Sequence, residues 1–293
     1  MNAPVSMAPA LVSGLAELAP RYDVILSDIW GVLHNGLESY RAAGEALTNF
    51  RKKGGTVVLI TNAPRPAIDV VKLLDGLNVM RSAWDGIVTS GDVTRAMLEA
   101  EGTVPFFWLG PPRDEPIFDG LAAPRVPLKD ARNLVCTGLL DDDVETPDDY
   151  AAMLAEAKAR DQTFICANPD LVVERGGRLV YCAGALAQAY EQIGGKTVYA
   201  GKPFAPIYQE ALAIAASVRG GPIDLSRVLA IGDAIRTDVA GGKALGVDVL
   251  FCARGIHTHE LGLDEKPLHD AALANFLSTL DHHPDYAIEM LGW

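Results

Sequence analysis

Four cysteines in 293 residues, Cys136, Cys166, Cys182 and Cys252, form no CxxC pair and no run of close spacings. That excludes a disulfide-stapled scaffold and a thiolate zinc finger. They read as small buried apolar side chains in a reducing compartment. Aromatic residues are also scarce, at 7%, within an apolar share of 49%. A core built from Ala, Val and Gly in place of rings is the balance of a parallel α/β protein. Positive charge is in deficit: 25 Lys and Arg face 38 Asp and Glu, for a formal charge of −13. Such a field repels a phosphate backbone and argues against nucleic acid as a partner. It also slows an anionic small substrate, so a local basic group or a metal ion is expected wherever one binds. No apolar run reaches membrane-spanning length, and the Ala-rich stretch up to Tyr22 has no basic leader before its apolar part. The expectation is a cytoplasmic protein with no membrane partner.

The length exceeds what one core usually fills, so a larger domain carrying a smaller insert is expected. Apolar residues between Leu11 and Leu18 follow helical spacing, and Asp23 to Asp28 is a short aliphatic strand closing on a carboxylate. A helix over 40–53, stopped by Gly54-Gly55, leads to a strand over 56–60 that ends at Thr61-Asn62. Pro64 and Pro66 then open the next helix. Residues 227–233 repeat the pattern of an aliphatic run closing on a carboxylate, followed by a helix over 237–245 and a strand over 247–251. Strands alternating with helices at this pitch predict a doubly wound, Rossmann-like parallel sheet. In such folds ligands bind beyond the carboxyl ends of the strands, and Asp28, Thr61, Asn62 and Asp233 all fall on that edge. The intervening stretch has its own rhythm: strands at 86–89, 134–137 and 163–167, helices at 92–101, 148–160 and 183–193. It predicts a smaller inserted α/β domain, with Pro105 to Pro127 as a long looped connection. Met290 and Trp293 read as anchors of a last helix.

The segment Asp28-Ile29-Trp30-Gly31-Val32-Leu33 resembles the first motif of the haloacid dehalogenase superfamily. Thr61-Asn62 looks like the second motif, Gly201-Lys202-Pro203 like the third, and Gly232-Asp233-Ala234-Ile235-Arg236-Thr237-Asp238 like the fourth. They come in the family's order. The separation between Asn62 and Lys202, with Asn168-Pro169-Asp170 and Gly184-Ala185-Leu186 inside it, resembles the class IIA branch of sugar-phosphate, nucleotide and nitrophenyl phosphatases. The resemblance covers the chain from about Leu15 onward. It implies a core of residues 1–82 and 198–293 with a cap of residues 83–197 that closes over the sheet edge. It also implies a Mg2+-dependent hydrolase of a small phosphomonoester, such as a sugar phosphate, acting through an aspartyl-phosphate on Asp28. In that reading Lys202 offsets charge among the carboxylates, and Thr61 and Asn62 bind phosphate oxygens. Asn168 and Asp170 contact substrate, and Mg2+ is held by Asp28, the Trp30 backbone carbonyl, Asp233 and Asp238 nearby. The chemistry is consistent: phosphoryl transfer needs an in-line nucleophile and positive charge on the equatorial oxygens. The partner is then a small phosphorylated metabolite, and assembly into a homo-oligomer stays open.

Trp30 departs from the family pattern. Most phosphatases of the superfamily carry a second Asp there, which protonates the leaving oxygen and then activates water; an indole does neither. Two alternatives follow from this departure. One is a metal-independent carbon-halogen hydrolase using the same nucleophile, and the other is a catalytically silent phosphate- and metal-binding protein. The fourth motif favours phosphorus over halogen. His34 is a candidate replacement acid, competing with a merely solvated role. His257-Thr258-His259-Glu260 lacks a third ligand at zinc spacing and reads, like His282-His283, as exposed loop.

Overall fold

A computed structural model of the chain describes residues 9–175, 178–264 and 266–293; residues 1–8, the head of the Ala-rich stretch, fall outside. In chain order the elements begin with β1 (Ala10–Leu11), β2 (Val24–Ser27), α1 (Arg41–Lys52), β3 (Thr56–Thr61), α2 (Ala67–Gly76), β4 (Gly86–Thr89) and α3 (Ser90–Glu101). There follow β5 (Phe106–Leu109), β6 (Asn133–Cys136), α4 (Ala151–Ala159), β7 (Thr163–Cys166), β8 (Val172–Arg175), β9 (Arg178–Tyr181), α5 (Ala183–Gln192) and β10 (Lys196–Tyr199). The chain finishes with α6 (Ala205–Arg219), β11 (Val228–Gly232), α7 (Ala240–Leu245), β12 (Asp248–Cys252), α8 (Asp270–Leu277) and β13 (Tyr286–Ile288). Two compact units divide it: one runs through Ile60, Leu74–Ile87 and Ala211–Trp293, the other comprises Thr61–Leu73 and Val88–Glu210.

The first unit is organised on a seven-stranded sheet of order β1-β13-β12-β11-β2-β3-β4. Its pairs β1–β13, β13–β12, β12–β11, β11–β2 and β2–β3 are parallel. Strands β2, β3 and β11 are buried at every position. A parallel strand covered on both faces is expected to read as an unbroken apolar run rather than an alternation, which is why these strands stand out in the sequence. The second unit has a four-stranded parallel sheet of order β10-β7-β6-β5 and the antiparallel pair β8–β9. Its strands sort by period two. Leu134, Cys136, Phe164 and Cys166 face one buried cluster with Leu154, Leu186 and Tyr190, while Phe106, Val135 and Ile165 face another with Leu98. The fold class is therefore the expected one, a doubly wound parallel α/β core together with a smaller α/β unit. Among the described residues, no helix is long and apolar enough to cross a membrane.

Four local expectations need correction. Residues 11–18 form no α-helix, only the 3-10 turn Leu15–Glu17. The N–H groups of Ala10, Val12 and Leu15 donate instead to the carbonyls of Asp285, Ala287 and Gly292, at 3.0, 3.0 and 2.8 Å, so the segment is drawn into the sheet as β1. The Pro-rich connection contains β5, an edge strand whose flanking prolines cost no ladder bond. The helix expected over 237–245 begins instead as a π turn, Ile235–Val239, before α7. Met290 and Trp293 follow β13 rather than a helix. Met290 is exposed, and the Lys53 ammonium lies 4.7 Å from the Trp293 ring centroid.

Candidate active site

Strand order in the first unit reverses at the β2–β11 pair, since β3 lies beyond one strand and β12 beyond the other. Connections leave such a point in opposite directions and open a crevice at the carboxyl ends. Ser27 pairs with Ile231, and the Asp28 N–H donates to the Ile231 carbonyl at 2.8 Å. The residues next in line are Asp28, directly after β2, and Asp233, directly after β11. The π turn then returns Asp238: its N–H donates to the Ala234 carbonyl at 2.9 Å, and its Oδ2 accepts from the Ala234 N–H at 3.1 Å. Carboxylate oxygens of Asp28, Asp233 and Asp238 consequently lie within 4.8 Å of one another, and all three residues are buried.

Backbone groups hold these acids in place. The Ile29 N–H donates to Asp28 Oδ1 at 2.7 Å, and the Ile256 N–H to Asp233 Oδ2 at 2.8 Å. Gly31, at φ +80°, and Gly255 wall the Asp233 carboxylate so closely that a Cβ at either position would overlap it. Hard carboxylate oxygens gathered this tightly repel one another and suit an oxygen-seeking divalent cation rather than a thiophilic one. By donor chemistry the trio fits Mg2+.

Trp30 occupies the same turn, with its indole against Gly36 and edge-on to His34, ring centroids 5.0 Å apart at 74°. His34 is buried; loss of hydration pushes its pKa down to about 4, so the ring is neutral at pH 7. Its Nδ1 accepts the Gly36 N–H at 3.0 Å, which leaves the single ring proton on Nε2. A neutral imidazole is a poor proton donor, so His34 does not match the acid that Trp30 displaces.

The second unit gathers the other candidates. Thr61 closes β3 and its Oγ1 accepts the Ala63 N–H at 3.2 Å. Asn62 is a clamp: its amide NH2 donates to Asp170 Oδ1 at 3.0 Å and to the Lys202 carbonyl at 3.2 Å, and its Oδ1 accepts the Lys202 N–H at 2.7 Å. Asn168 Oδ1 accepts the Asp170 N–H at 3.1 Å, shaping the turn that presents Asp170. Thr61, Asn62 and Lys202 are buried, and Asn168 is 9% exposed. Motif order alone did not reveal that Asn62 joins Asp170 to Lys202 across 140 residues of chain. The signal was an Asn whose amide has donors and an acceptor to place in a dry site.

The remaining candidates do not assemble. His257 packs on Phe276, ring centroids 5.0 Å apart, and pairs with Glu260, so it is half-buried rather than loop-exposed. His259 pairs with Asp264 at 2.6 Å. Among the described residues, the Asp28, Asp233 and Asp238 trio is the one metal-competent cluster. All four cysteines are buried and free, and burial pushes the Cys136, Cys166, Cys182 and Cys252 thiols up and away from reactivity.

Comparison with known proteins decides the family. Residues 25–121 match the model of a haloacid dehalogenase-like hydrolase, and residues 199–280 match a second hydrolase model of the same group. A crystal structure of a haloacid dehalogenase-like hydrolase from Brucella suis is 45% identical, with a TM-score of 0.85 over 96% of this chain and all of that one. The chain belongs to the haloacid dehalogenase-like hydrolase family. More distant members share the fold. The p-nitrophenyl phosphatase of Archaeoglobus fulgidus aligns at TM-score 0.71 and 21% identity over 92% of this chain and 97% of that one. The 4-nitrophenylphosphatase of Thermotoga maritima aligns at 0.68 and 22% over 94% and 97%. No curated protein matches the sequence. As a haloacid dehalogenase-like hydrolase, the chain is an enzyme.

Proposed function

We propose that the enzyme is a cytoplasmic Mg2+-dependent phosphatase that hydrolyses a small phosphomonoester through Asp28. The convergence of Asp28, Asp233 and Asp238 carries the reading, because a halogen displacement on the same nucleophile has no need of three carboxylates at cation-binding separation. Asp28, Asp233, Asp238 and the Trp30 carbonyl would hold Mg2+, which when bound neutralises charge on the phosphoryl oxygens. An Asp28 oxygen attacks phosphorus as the bond to the ester oxygen breaks, giving an aspartyl-phosphate and the departing alkoxide or phenolate, which takes its proton from solvent water. Water then attacks the same phosphorus, releasing inorganic phosphate and restoring the carboxylate. Thr61 and Lys202 bind phosphate oxygens. Asn62, whose amide is spent on Asp170 and on the Lys202 main chain, serves chiefly to fix Lys202. Residues 83–197 act as a cap, with Asn168 and Asp170 as its contribution to the substrate site.

Release of phosphate and of chloride is to be measured with and without Mg2+, for the wild type and Asp28→Asn. The expected pattern is phosphate release from 4-nitrophenyl phosphate only with Mg2+, reduced about 10³-fold or more in the variant. Metal-independent chloride release would establish the halogen reading in its place. Tight phosphate binding with no turnover would establish a silent binding protein.

A further inference from the structure

Three residues after Asn62 the chain places an arginine whose surroundings are built. Arg65 is flanked by Pro64 and Pro66, so φ is fixed on both sides, and Ala63 and Arg65, each preceding a proline, are disfavoured from helical conformation. Thr89 Oγ1 donates to the Arg65 carbonyl at 2.6 Å, and the Gly91 N–H donates to the Ala63 carbonyl at 3.2 Å. The start of α3 approaches so closely that a Cβ on Gly91 would sit 2.5 Å from the Arg65 nitrogen. The loop is seated rather than free.

Its side chain is equally fixed, but at one end only. Arg65 Nε donates to Asp114 Oδ1 at 2.9 Å, and the Asp114 side chain is 2% exposed. Burial pushes the Asp114 carboxyl up, while the hydrogen bond and charge of Arg65, the Arg113 charge and a bond from Thr137 pull it back. A guanidinium has five N–H groups in a planar fork. Among the described residues, Asp114 takes only the Nε proton, and the fork of Nη1 and Nη2, on a side chain 35% exposed, has no protein partner. Holding arginine by Nε while leaving the bidentate end open fits recognition of a planar or tetrahedral anion. Arg65 stands four residues beyond Thr61, a separation of at most about 14 Å along the chain, so its anchored guanidinium belongs to the same loop as the proposed phosphate-binding threonine. A protein of charge −13 needs such a local cation if its substrate carries more than one negative group.

We propose that Arg65 is a specificity-determining residue that binds a second anionic group, a carboxylate or second phosphate, on the leaving-group side of the phosphomonoester. The assignment rests on the phosphatase reading above. The test is equilibrium binding in Mg2+ buffer, by calorimetry, of ω-carboxyalkylphosphonates and α,ω-bisphosphonates with one to three methylenes, against ethylphosphonate. At least one acidic ligand should bind wild type about tenfold or more tighter than ethylphosphonate, and its class tells carboxylate from phosphate. Arg65→Gln should erase that preference and leave ethylphosphonate within about twofold, while Arg65→Lys, which keeps charge but loses the fork, should retain part of it. Thermal melts of both variants check folding, and the Lys variant carries the comparison if the Gln variant is unstable. Equal binding of all ligands by wild type, or equal weakening of all by Arg65→Gln, overturns the proposal. Failure of wild type to bind ethylphosphonate at all removes the phosphate site itself, and the proposal with it.

Discussion

On the phosphatase reading, position 30 limits which leaving groups can be displaced. General acid help is worth roughly 10²- to 10⁴-fold, and neither the Trp30 indole nor the neutral His34 beside it supplies a proton at pH 7. Esters of acidic alcohols lose little by this, because nitrophenolate leaves unprotonated, whereas an alkoxide does not. Across a series of aryl and alkyl phosphates the rate should fall steeply as leaving-group pKa rises. Trp30→Asp should flatten that slope and speed the alkyl esters, provided that the cavity left by the ring does not shift Asp28; a thermal melt checks the latter. Rapid wild-type cleavage of alkyl esters with no trend would mean that another group delivers the proton.

Elements built on unbroken aliphatic runs were legible in the sequence, and those that depend on distant partners were not. Strands β2, β3, β11 and β12 could be read because burial on both faces favours unbroken aliphatic runs, here Val24-Ile25-Leu26, Val57-Val58-Leu59-Ile60, Val228-Leu229-Ala230-Ile231 and Val249-Leu250. Strand β1 exists only because residues 285–292 offer it carbonyls, and β5 is masked by prolines that an edge strand tolerates. At the site, the spacing of Asp28, Asp233 and Asp238 was readable from motif order, whereas the Asn62 clamp and the Asp114 seat of Arg65 depend on contacts across 140 and 49 residues. The foot of the sheet has a comparable long-range tie. Arg227 Nε and Nη2 donate to Asp23 at 2.5 and 2.8 Å, bracing the start of β2 against β11. The Arg227 hydrogen bond holds the Asp23 carboxyl below its usual range, against a smaller burial effect. A depressed folded pKa contributes stability above the unfolded value, about 3.9, that is lost as pH falls through the folded one. Asp23→Asn should therefore melt earlier than wild type at pH 7, by an amount equivalent to about 1 kcal/mol or less because the pair is part-exposed. The gap should begin to narrow below about pH 4 and go on narrowing as pH falls through the folded pKa. Melts across pH 2 to 7 measure it, and a gap that does not narrow between about pH 4 and pH 2 would assign the effect to lost packing.

At the scale of the whole molecule the carboxylate trio links binding to stability. A cation held by the folded chain and not by the unfolded one raises stability by about 2.7 kcal/mol at a hundredfold excess over its Kd. Mg2+ should accordingly raise the wild-type melting temperature by several degrees, and Asp233→Asn should lose most of that rise while melting near wild type without the ion. An undiminished rise in the variant would remove Asp233 from the ligand set. The parallel order that positions the trio has a further consequence for synthesis. β2 pairs with β11 and β1 with β13, so Val24 waits for Val228 and Ala10 for Tyr286. Contacts of that sequence separation form late and slowly. A nascent chain therefore carries Asp28 through the synthesis of residues 29–232 with no Asp233 to meet it, and on the reading proposed above it stays unable to hold the cation until that stretch has been made.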